Sequence, residues 1–149
     1  MMKRWCVVLA CLLLGGQLAQ AHIKILEKQS IAGARERYTM RVPNEKQVDA
    51  LRIEGEFPAG LKVYAFEPKP GWSVELRKDE VGNLVGAVWT GVLKPYEFLE
   101  FGMLAINPKE PGVLTWRFVQ YYADGNKEEF IGPVGTKYPA PITELIAAP

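Results

Sequence analysis

The feature that most constrains this chain is the rhythm of its apolar residues, which recur with period two in short runs broken by turn signals. Tyr38, Met40 and Val42 alternate with Thr39 and Arg41. Leu51, Ile53 and Phe57 alternate with Arg52, Glu54 and Glu56, with Gly55 as a candidate bulge. Trp72, Val74 and Leu76 oppose Ser73, Glu75 and Arg77. Further strands are expected over 22–26, 61–66, 84–89, 98–106, 113–122 and 127–131, with 29–33 read as a loop. In the longest of them, 113–122, Leu114, Trp116 and Phe118 should face inward. Pro43-Asn44, Pro58-Ala59-Gly60, Pro68-Lys69-Pro70-Gly71, Gly82-Asn83, the run 107–112 and Asp124-Gly125-Asn126 supply the breaks. No stretch sustains a helical period. About nine short strands therefore predict an all-β sandwich, not an α/β fold. Beyond Gly132 the prolines 133, 139, 141 and 149 predict an extended, only partly ordered tail over 133–149.

The first 21 residues read as a signal peptide. Lys3 and Arg4 precede an apolar run from Cys6 to Leu14, too short to span a bilayer, and Ala19-Gln20-Ala21 suits a signal peptidase. A rival, Val8-Leu9-Ala10-Cys11, loosely resembles a lipoprotein box, and cleavage there would leave His22 internal. Cleavage after Ala21 leaves 149 − 21 = 128 residues, enough for one domain, over 22–132 plus the tail. Two of the 18 basic residues go with the signal, so the formal balance becomes 16 − 17 = −1. Nucleic acid is a poor partner for such a chain. Cys6 and Cys11 also lie in the signal, so the cleaved chain has no disulfide, zinc–cysteine site or cysteine nucleophile. No second long apolar run comes after it, which predicts no transmembrane anchor and a periplasmic or secreted location.

The single histidine, His22, comes directly after the cleavage motif. A terminal histidine offers two adjacent ligands, its α-amino nitrogen and Nδ1, which close one chelate ring on a metal. The amine titrates near pH ~7.7–8.0 unperturbed, so a metal must displace its proton at neutral pH. Divalent copper forms the strongest first-row complexes and favours tetragonal nitrogen and oxygen sites. A carboxylate would complete the plane.

Other residues carry a resemblance. Ala21-His22, then Tyr38-Thr39-Met40-Arg41-Val42-Pro43-Asn44-Glu45, Glu67-Pro68-Lys69-Pro70-Gly71-Trp72, Val88-Trp89 and Gln120-Tyr121-Tyr122-Ala123-Asp124-Gly125 occur in that order. The chain thereby resembles the YcnI-like family of bacterial secreted copper-binding domains. The resemblance implies an immunoglobulin-like β-sandwich that binds Cu(II) through a brace made by one terminal histidine, with a carboxylate and an aromatic ring beside the metal. Carried onto this sequence, the brace falls on His22 and the carboxylate on Glu45, with Glu27 and Glu129 in reserve. The aromatic falls on Phe130 where the family tends to place tryptophan, so the indole N–H is missing and the cation–π partner is weaker.

Three functions compete. The first is an envelope copper-binding protein for acquisition, delivery or buffering, with copper-transport proteins of the envelope as partners. With one histidine, no Ser/His/Asp set and no glycine-rich phosphate loop, the sequence predicts no enzyme. Met40 and Met103 alone remain after cleavage, which disfavours a methionine-rich Cu(I) site. The second function is a copper monooxygenase, which would need a second histidine. The third is a metal-free sandwich binding protein or glycan through the tyrosines and the tail.

Overall fold

The computed structural model describes residues 22–149; the expected signal peptide, with both cysteines, lies outside the described residues. The strands are β1 (Lys24–Ile25), β2 (Gln29–Ile31), β3 (Arg35–Pro43), β4 (Ala50–Glu56), β5 (Lys62–Phe66) and β6 (Ser73–Lys78). They continue with β7 (Leu84–Leu93), β8 (Phe98–Ile106), β9 (Gly112–Thr115), β10 (Arg117–Tyr122), β11 (Lys127–Phe130) and β12 (Ile142–Ile146). One sheet has the order β1-β3-β8-β5 and a second β11-β10-β4-β7-β6. A small third sheet, β2-β12-β9, sets an early strand beside two late ones.

The two larger sheets share one core. Tyr38, Met40, Phe101 and Met103 from the first, and Ile53, Trp89, Phe118 and Phe130 from the second, are all almost fully buried within it. The Trp89 and Phe101 ring centroids lie 6.1 Å apart across the interface. Burying such a side chain contributes about 1.5–3 kcal/mol, and the fold relies on this term because no cysteine lies among the described residues. Polar faces outside complete the alternation: in β10, Phe118, Gln120 and Tyr122 are buried while Arg117, Val119 and Tyr121 are less so.

Twelve strands replace the expected nine, and three differences account for it. Residues 29–33 hold a short strand, β2, whose neighbour in the sheet, β12, comes from far along the chain. The expected strand over 113–122 splits at Trp116, so that β9 joins the small sheet while β10 stays in the large one. The Trp116 amide donates instead to the Pro141 carbonyl at 2.9 Å. The tail over 133–149 is corrected in the same way: β12 runs parallel to β2 and antiparallel to β9, and buries Thr143 and Leu145. Single-strand periodicity carries no information about these distant pairings.

The bulge assignment also moves. Gly55 holds regular register, opposite Phe118 on one side and Ala87 on the other. The irregularity falls between Ala50 and Arg52, so Leu51 turns outward at 37% exposure while Ala50 is buried. Gly55 is small for another reason: a Cβ there would sit 3.0 Å from ring carbons of both Phe118 and Trp89.

Candidate metal-binding site

The strand next to His22 in the chain sets its place. Ile23 and Ile25 are buried in the core, and Lys24 pairs with Arg41 and Ile25 with Met40. That antiparallel register carries residue 22 to the end of β3, where Pro43-Asn44-Glu45 leaves the sheet. The exit is firmly built. Gln120, itself buried, donates from Nε2 to the Pro43 carbonyl at 3.0 Å. Asn44 Nδ2 donates to the carbonyls of Val48 and Leu93, and Asn44 Oδ1 accepts from the Lys46 amide. Its backbone pairs with the loop before β8, the Asn44 amide to Glu97 and the Tyr96 amide to Asn44. Tyr96 takes a left-handed φ of 65° there, at the tip of that loop.

His22 and Glu45 line one cavity of about 250 Å³, with Lys46, Tyr122, Glu128, Lys137 and Tyr138 around it. Phe130 stands beside the imidazole, ring centroids 5.8 Å apart and tilted by 58°. Tyr138 meets the same imidazole edge-on at 6.1 Å. Tyr138 reaches the site because the loop carrying it is tied at its neck. Gly132 donates to the Tyr138 carbonyl at 3.1 Å and Ala140 donates to Gly132 at 2.8 Å. A second, wider cavity of about 720 Å³ adjoins the first and shares Lys46, Tyr122, Glu128, Lys137 and Tyr138 with it.

Of the residues singled out from the sequence, His22, Glu45 and Phe130 are brought together. Glu27 is not: its carboxylate accepts from the Thr39 amide at 2.7 Å and from the Thr39 hydroxyl at 3.1 Å, away from the cavity. Glu129 points to the other face of β11, where it pairs with Lys127 at 2.7 Å. Glu128 is the acid that sequence reasoning missed. It accepts from the Tyr122 hydroxyl at 2.8 Å and pairs with Lys46 at 3.0 Å. The parity of β11 contained the signal, since Glu128 shares a face with Phe130 and Glu129 does not. Burial, then the Glu128 carboxylate, push the Tyr122 phenol well above its ordinary range. Glu128 in turn holds the Lys46 ammonium above its usual value.

Among the described residues, no three His, Cys, Asp or Glu side chains stand ready to hold a metal ion. A brace takes its second nitrogen from the main chain, and that nitrogen is a primary amine only in a chain that begins at His22. The donors at hand, one imidazole and carboxylates beside an aromatic wall, suit a borderline divalent cation that accepts nitrogen and oxygen.

The arrangement is that of an immunoglobulin-like β-sandwich with a histidine and carboxylate cavity at one end. The chain belongs to the family described as "Domain of unknown function (DUF1775)", which matches residues 22–145. It is 30% identical over 156 residues to the copper-binding protein CutI of Bacillus subtilis (strain 168), covering 99% of this chain and 76% of CutI. That relationship agrees with the YcnI-like resemblance in the sequence. Among solved structures, an uncharacterized Nocardia farcinica protein with an immunoglobulin-like fold superposes with a TM-score of 0.72 at 22% identity. The match covers 83% of this chain and 97% of that one. A cohesin module from a Clostridium perfringens glycoside hydrolase superposes with a TM-score of 0.56 at 13% identity, over 84% of this chain and 93% of that one. At these identities the two structures bear on the fold alone.

Proposed function

We propose that the protein is a periplasmic or secreted Cu(II)-binding protein, released by cleavage after Ala21. The terminal amine and Nδ1 of His22 grip the ion and Glu45 completes its plane. The observation that carries this reading is the meeting of His22 and Glu45 in one cavity beside Phe130. Kinship with a copper-binding protein supports it. Phe130 supplies an apolar wall that limits water at the metal, without an indole N–H to donate. The protein acts as a carrier in copper acquisition, delivery or buffering, handing its ion to envelope copper-transport proteins, and performs no catalysis of its own.

The deciding experiment is a Cu(II) titration monitored by electron paramagnetic resonance on chain beginning at His22, beside the same chain with one extra residue ahead of it. One stoichiometric tetragonal signal with nitrogen couplings, lost or altered in the extended chain, is expected. Identical spectra from the two chains would overturn the brace.

A further inference from the structure

We propose that Glu128 is a second carboxylate for the bound cation, and that the Lys46 ammonium holds its place until the cation arrives. This rests on the copper reading above and extends it to a residue that no resemblance assigned.

The two oxygens of Glu128 are held differently. Oε2 accepts from Tyr122, a buried neutral phenol at 6% exposure that is locked in the core. Oε1 takes the Lys46 ammonium, whose side chain is 47% exposed while that of Glu128 is only 18% exposed. One contact is therefore sheltered and the other exchangeable, since a half-exposed lysine is readily solvated when displaced. Lys46 also lines the wider adjoining cavity, which gives the ammonium a wet place to go. The charged groups around this spot are Glu45, Glu128 and Lys137, with Asp124 and the Lys127–Glu129 pair along the wider cavity and Lys46 itself next to Glu45 in the chain. Two carboxylates and two lysine ammonium groups line the His22 cavity, so its side-chain charges nearly cancel before loading. A divalent ion at His22 and Glu45 repels Lys46 and attracts Glu128 by the same Coulomb term. Loading would bring in, through Glu128, the third side-chain donor that the resting arrangement does not gather, with Lys46 leaving Oε1 for the outer groove.

The test uses chain beginning at His22, which contains all twelve strands, with Cu(II) affinity measured against a competing chelator and the spin spectrum recorded for each variant. Lys46→Met should tighten Cu(II) about five- to tenfold by removing the competitor. Glu128→Gln should weaken it by a similar factor and shift the spectrum, while still accepting from Tyr122. The double variant should stay as weak as Glu128→Gln. Unchanged affinity and spectrum in Glu128→Gln would overturn the proposal. So would recovery of wild-type affinity in the double variant, because Glu128 would then merely anchor Lys46. Should Glu128→Gln fail to fold, Lys46→Met decides alone, with unchanged affinity counting against the proposal. His22→Ala separates the two ideas: binding that survives it removes the brace and leaves the Glu128 result to stand on its own.

Discussion

Asn44, a residue only 1% exposed, donates from Nδ2 to the Leu93 carbonyl at 2.9 Å, and so clamps the segment bearing Glu45 to the end of β7. Asn44→Ala leaves the carbonyls of Val48 and Leu93 without this donor and releases the Lys46 amide. A loss of about 2–3 kcal/mol in urea unfolding is expected. The copper spectrum should broaden as well, because Glu45 loses its fixed stalk.

Alkali should unfold the protein through its buried phenols. Burial raises the pKa of both Tyr38 and Tyr122 in the folded chain. Unfolded, each ionises near pH ~10, so above that pH the folded state binds more protons than the unfolded one. Their contribution is fully present below pH ~10 and is lost as pH rises from there toward the folded values. Tyr38 and Tyr122 should ionise only with unfolding. Ionisation of the Tyr38 or Tyr122 phenol, followed by absorbance at 295 nm, in still-folded protein would contradict this.

Gly55→Ala forces a methyl between Phe118 and Trp89. Both rings belong to the closed core, so neither can swing aside without disturbing the other sheet. Overpacking of this kind costs about 1–3 kcal/mol, to be read from the thermal midpoint together with a changed near-ultraviolet dichroism of the tryptophans.

Thr143→Val tests the small sheet. The Thr143 hydroxyl accepts from Trp116 Nε1 at 3.3 Å and donates to the Glu27 carbonyl at 2.7 Å. Valine keeps the shape and strands both partners, for an expected loss of about 1–3 kcal/mol by chemical denaturation. Stability equal to the wild type would show that β12 is held by its backbone pairing alone.

Much of the sandwich was legible because its strands have one wet face. Met40, Val42, Phe118 and Leu114 each fell inward where alternation put them. What escaped was non-local. Nothing in the residues 29–31 says that 144–146 will lie beside them. Leu51 alternates correctly on paper and is turned outward by a bulge that belongs to the pairing with β7. At the site, His22 stood out as the lone histidine of the chain, and Glu45 was marked by its segment. Glu128 was hidden by its neighbour, since Glu129 touches Phe130 in sequence while Glu128 joins it in space.

The cavity is walled by both extremities of the described chain: His22 stands ahead of the first strand, and Tyr138 comes from the loop just before the last. Synthesis delivers the imidazole well before the phenol that covers it. An incomplete or clipped molecule therefore carries the histidine without its enclosure. On the copper reading proposed above, any choice among metals would depend on the segment that brings Tyr138 as much as on His22 itself.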